Sequence, residues 1–179
     1  MVTNIVDAIQ QKLGYPPLKK VDPNTQEIKD ARKMSPGEKL PQAAIPAVLA
    51  AAIKYSDSKD GISLLTEDHN KNWLTTIYCG KENDAVKKVA DYSGVSTDEA
   101  RKHMESISME TVEIVKEFVK TPDAEKLRSF MNSQRHSILS HLPAAMKMGD
   151  VLNEETFDDR TNKMEGPVSS FLHRIEDII

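Results

Sequence analysis

The residues predict an all-α fold, a single-domain bundle of about seven to nine short helices. Three observations carry that expectation. Apolar residues recur at a spacing of about 3.6 rather than in strict alternation, the mark of helices with one buried face. Residues with capping chemistry punctuate the chain at helix-length intervals, with Ser, Asp or Asn at the starts and Gly at the stops. The chain has 179 residues, 39% of them apolar and 29% charged, one ordinary domain's worth of core material. A chain of this size buries roughly 70% of the surface its unfolded form exposes, so it needs no disulfide. Its single cysteine, Cys79, has no partner for an internal one.

Taken in order, Ile5, Val6, Ile9 and Leu13 form one face of a first helix, which Gly14 closes and Tyr15-Pro16-Pro17 keeps from continuing. Residues 15–34 read as an extended connector. Asp22-Pro23 can open a turn there, but Ile28 is nearly its only apolar residue, so little is expected to hold it to a core. Ser35-Pro36-Gly37-Glu38 sets a capping serine, a proline at the first helical position and a glutamate at the third. The helix it starts is expected to reach Tyr55, kinked or split by Pro41 and Pro46. Alanines at 43, 44, 47, 50, 51 and 52 keep it thin, so it belongs in the middle of the bundle.

Asp57, Asn70 and Asn83 are the expected caps of three shorter helices carrying Ile62-Leu64-Leu65, Trp73-Leu74-Ile77 and Val86-Val89-Ala90, with Gly80 and Gly94 as stops. Ser96-Thr97-Asp98-Glu99 is a capping box. It opens a long helix to about Lys120 through Ala100, Met104, Ile107, Val112, Val115 and Val119, with a bend expected near 106–108. Thr121-Pro122 restarts the chain into Leu127, Phe130 and Met131, then Ile138, Leu139 and Leu142. The domain therefore divides into an N-terminal helix and connector (1–34), a helical core (35–148), an acidic loop (149–166) and a C-terminal helix (167–179). The acidic loop holds Asp150, Glu154, Glu155, Asp158 and Asp159. The last helix carries Val168, Phe171, Leu172, Ile175 and Ile179 on one stripe, the expected interface with the bundle, a protein partner or another subunit.

Shifting the chain by 66 positions aligns Ile53 with Val119, Lys54 with Lys120, Asp57 with Asp123 and Ser63 with Ser129. It also sets Leu64 on Phe130 and Leu65 on Met131, so a duplicated αα-hairpin is one reading and two similarly capped hairpins the other.

Net charge is −4. Residues 1–90 carry 13 basic against 11 acidic groups and residues 91–179 carry 11 against 17, so the acidity belongs to the second half. Such a field weakly repels nucleic acid and anionic membranes. The amino terminus reaches Asp7 without a basic and then apolar run, and the most apolar stretch, 43–53, is about half a bilayer span and contains Pro46. The expectation is a cytoplasmic protein that does not engage membranes.

Residues 85–104 carry helix-turn-helix spacing, with Ala90, Gly94, Val95 and Ala100 where that motif needs a small residue, a turn glycine and apolar contacts. Arg101 and Lys102 are the candidate nucleic-acid contacts. The first turn of the recognition helix presents Asp98 and Glu99 instead, and Glu105, Glu110, Glu113 and Glu117 follow, so nucleic-acid binding is disfavoured. His69, His103, His136, His141 and His173 fall in no metal-ligand pattern, and the acids of 150–159 lack a calcium loop's glycine and alternation. Cys79 ends an apolar helical run and is expected as a buried small residue rather than a nucleophile. No phosphate loop or nucleophile elbow is present in the sequence, so catalysis and a cofactor are not expected.

Leu40-Pro41 and Ile45-Pro46-Ala47-Val48-Leu49-Ala50, followed by Tyr92-Ser93-Gly94-Val95-Ser96, resemble the YidB-like family of uncharacterised bacterial proteins over residues 34–131. The resemblance implies an all-helical fold of paired hairpins, and it brings no catalytic or binding residue. Such proteins are commonly richer in glycine and poorer in charge than this chain, which would make it a divergent member. The expected function is that of a non-catalytic interaction or scaffold module. The alternative is a DNA-binding regulator through residues 85–106, and the third reading is a small-ligand protein or enzyme.

Overall fold

The computed structural model describes residues 4–67 and 71–158. Among them are eight α-helices, no strand, and 3-10 turns at Ala31–Lys33, Ala144–Met146 and Glu155–Phe157. The helices are α1 (Ile5–Leu13), α2 (Pro36–Ser56), α3 (Ser63–Thr66), α4 (Trp73–Ile77), α5 (Glu82–Ser93), α6 (Thr97–Phe118), α7 (Ala124–Leu139) and α8 (Met148–Leu152). None of them is long and apolar enough to cross a membrane.

Helix α2 is the axis. Ser35 closes its reciprocal capping box with Glu38, and every residue from Leu40 to Ile53 is buried. A helix buried on all sides must be apolar on all sides, and the alanines let α4, α5, α6 and α7 approach it closely. The predicted split at Pro41 and Pro46 does not occur, because α2 runs unbroken through both prolines. Packing around the whole circumference outweighs the two missing backbone donors.

Around this axis, α6 packs on α5, α1, α4 and α3. Tyr78 reaches from the end of α4 to donate to the Ala47 carbonyl at 2.8 Å, and burial pushes its phenol well above the ordinary range. Several expected caps move. Asp57 terminates α2 rather than opening a helix, Asn72 caps α4, Asn83 sits within α5, and Asn70 lies outside the described residues. The 66-residue match sets a long helix, a break and a second helix (α2 and α3) on the same sequence of elements (α6 and α7), with Val48 and Leu49 falling on Ile114 and Val115, but the breaks and the second helices differ. Asp57 ends α2 while Asp123 opens α7, and 63–65 belong to a four-residue helix while 129–131 lie inside a sixteen-residue one.

The connector is bound far more firmly than its apolar content predicts. Gln42 of α2, 1% exposed, accepts from the Lys19 amide and donates to the carbonyls of Lys19 and His141. Gln10 donates to the Pro16 carbonyl, and the Val21 amide donates to the Ser140 carbonyl at the end of α7. Val21 and Ile28 form an isolated bridge, and Ile28 is buried. Gln134 of α7 accepts the Ile5 amide, an orphan donor of the first turn of α1. Residues 15–34 are thus a polar-clamped strap.

The acidic segment also departs from the expected loop over 149–158. Asp158 accepts from the amides of Gly149 and Asp150, capping α8, and Glu154 pairs with Lys54 of α2 at 2.9 Å. Phe157 is 1% exposed. Gly149 is required by this closure, since a Cβ there would sit 2.4 Å from the Asp158 carboxylate and 2.7 Å from the Glu154 carbonyl.

Candidate functional site

Where the strap crosses α7 it leaves a groove of about 530 Å3. Val21 and Pro23 form one wall and Leu139 the other, with Asp22, Gln26, Asn132, Arg135, His136, Ser140 and Thr156 around them. Its position follows from local chemistry. Residues 132, 135, 136 and 139 lie on one face of α7 by helical spacing. The Asp22 backbone pairs with Glu27 and Gln26 to turn the strap back over that face.

Most polar groups of the groove are already engaged by the protein. Arg135 donates to Thr156 Oγ1 at 2.7 Å and lies 4.6 Å from the Phe157 ring centroid, a cation over an aromatic face. Thr156 Oγ1 donates in turn to Glu154, whose carboxyl is held below its ordinary range by that hydroxyl and then by Lys54. Ser140 donates back to the Ser137 carbonyl, and Asp22 accepts from the Asn24 amide. Exposed Asn132 and His136, with half-buried Gln26, line the opening. Chemically this is an apolar trough with a few hydrogen-bonding groups at its edge.

The helix-turn-helix segment forms the corner its spacing predicts. Gly94 takes a left-handed conformation at φ 73°, the amides of Gly94 and Val95 return to the Ala90 carbonyl, and Ser96 caps α6. The corner does not gather cationic chemistry. Arg101 is half-buried and hydrogen-bonded to Asn83 of α5, Lys102 is exposed, and exposed Asp98 and Glu99 precede both.

Cys79 is exposed, contrary to its expected burial. It lies past the end of α4 at φ 51°, and this left-handed turn swings it off the face through which Trp73, Ile77 and Tyr78 enter the core. Val168, Phe171, Leu172, Ile175 and Ile179, like His69 and His173, lie outside the described residues. Among the described residues, no group of three His, Cys, Asp or Glu is placed to hold a metal ion. His103 meets the Tyr15 hydroxyl at 2.6 Å and His141 meets the Ser137 carbonyl at 2.7 Å.

Sequence reasoning missed Gln42, Gln134 and the groove. Gln42 and Gln134 have partners 99 and 129 positions away in the chain, and no local pattern announces such pairings. The run Asn132, Arg135, His136, Leu139 was the available signal, a mixed polar and apolar face on a helix whose neighbouring face is core. No family model, curated protein or solved structure matches this chain.

Proposed function

We propose that the chain is a non-catalytic interaction module of the cytoplasm, a divergent relative of the YidB-like proteins, and that its contact surface is the groove between α7 and the strap. One observation carries this reading. The trough is apolar at its walls, and Arg135, Ser140, Thr156 and Asp22 already bond within the protein. A small polar ligand needs converging unsatisfied groups, whereas apolar side chains presented by a helix need a trough and a polar edge. The groove has the volume of a small-molecule site, so the third reading is narrowed by chemistry rather than by size.

Photo-crosslinking tests it. A benzophenone side chain at position 132, in full-length protein, is expected to give defined crosslinks to a protein segment, while the same probe at position 102 gives none. Crosslinks from 102 alone would overturn the reading.

The α5–α6 corner supports a second reading, a DNA-binding regulator through residues 85–106, because its three-residue turn has the geometry that motif uses. The acids at 98 and 99 weigh against it. If Arg101→Ala with Lys102→Ala leaves retention on DNA at low salt unchanged, or the parent shows no retention, that reading ends.

A further inference from the structure

We propose that the occupant of the groove is this chain's own 167–179 segment, docked in cis through Val168, Phe171, Leu172, Ile175 and Ile179. The proposal rests on the groove being a contact surface and names what contacts it.

The described chain ends beside the groove. Phe157 is buried beneath Arg135, and the Asp158 carboxylate is fixed on the amides of Gly149 and Asp150. The chain therefore leaves residue 158 from a defined point, two residues after Thr156, which itself lines the groove. Reach is ample. The ten steps from 158 to 168 span up to about 33 Å when extended, and the sixteen residues of α7 are about 24 Å long.

Chemistry matches as well. The stripe at 168–179 is spaced for one helix face, and a trough walled by Val21, Pro23 and Leu139 accepts such a face. Arg135 and His136 stand at the groove against Asp22, while the polar side of the segment carries Glu176 and Asp177 against Arg174. A short tether holds the segment at millimolar effective concentration, so a contact too weak to form between separate molecules is occupied within one. Any external helix using the groove must then displace the segment, which makes the tail a built-in competitor for that surface.

Paramagnetic relaxation in the full-length protein tests the proposal. In a Cys79→Ser background, a nitroxide on Ser129→Cys sits on exposed α7, outside the groove lining. Amide signals of 168–179 are expected to lose more than half their intensity, and to keep it when the nitroxide is on Lys102→Cys. Mixing nitroxide-bearing unlabelled chain with isotope-labelled chain separates cis from trans. Unchanged tail signals, or losses seen only in the mixed sample, would overturn cis docking. A synthetic 166–179 peptide titrated onto the full chain carrying Phe171→Asp and Ile175→Asp is expected to shift the Asn132 and His136 signals. Its failure to do so rejects the tail as occupant, while crosslinks from position 132 to some other protein would still leave the groove as a contact surface.

Discussion

Helix α2 is held almost wholly by apolar packing, whereas the strap over α7 depends also on polar clamps. Helix α2 is surrounded, with Ile45, Leu49 and Ile53 fully buried and the alanines at 43, 44, 47, 50, 51 and 52 buried as completely. The strap buries only Ile28 and Met34, with Tyr15 and Leu18 partly buried against the core, and it is held largely by Gln42, Gln10 and backbone pairs to α7 and the 144–146 turn. These two modes of attachment explain how the bundle presents a surface. Apolar packing fills space and leaves no trough, whereas a polar clamp fixes a segment at a few points and leaves apolar walls uncovered between them.

The largest loss of stability is expected at the axis. Leu49→Ala removes a fully buried side chain on α2 and is expected to cost about 2–5 kcal/mol, read as a lower urea midpoint with unchanged slope. Gln42→Leu keeps the volume and deletes the clamp. It leaves the Lys19 amide and the Lys19 and His141 carbonyls in search of partners, at about 1–3 kcal/mol for each one that stays buried. Hydrogen exchange is expected to locate that loss in residues 15–34 and the end of α7, with α5 and α6 unaffected. Gln42→Glu separates the roles, since it can accept from Lys19 but cannot donate to the two carbonyls.

Smaller effects are expected at the cap of α6 and beneath the strap. Ser96→Ala removes the cap of α6 and is expected to cost about 1 kcal/mol by thermal or urea unfolding, with no change in the groove. His141, beneath the strap, is pushed below its ordinary 6.5, first by burial and also by Lys20, with the Ser137 carbonyl and Asp7 opposing. The unfolded chain therefore takes up this proton before the folded one does as pH falls. The contribution is complete above about pH 6.5 and declines as pH drops toward the lower folded value, so stability rises with pH in that window. His141→Gln is expected to flatten that slope below about pH 6.5, while the acid-range contribution of Glu154, whose folded carboxyl is depressed, is lost only at lower pH.

What was legible in the sequence follows the same division. Helix α1, the capping box of α2 and the α5–Gly94–Ser96–α6 corner all rest on interactions within a few residues, and each forms as spacing predicts. The unbroken course of α2 through Pro46 was not legible, because it depends on four helices that crowd around it. Neither was the order of 149–158, whose acids read as a solvated run. Asp158 and Glu154 are instead spent on the amides of α8 and on Lys54, one short-range and one a hundred residues away. The groove was hidden for the same reason, since its two walls come from residues 21–23 and 132–139.

Docking of the 167–179 segment on the groove is tested most directly by hydrogen exchange on the full chain beside its Phe171→Asp, Ile175→Asp variant. Faster exchange at residues 19–28 and 136–142 of the variant, with α5 and α6 unchanged, is the predicted result. Equal exchange throughout, or a change confined to residues 85–106, would contradict it.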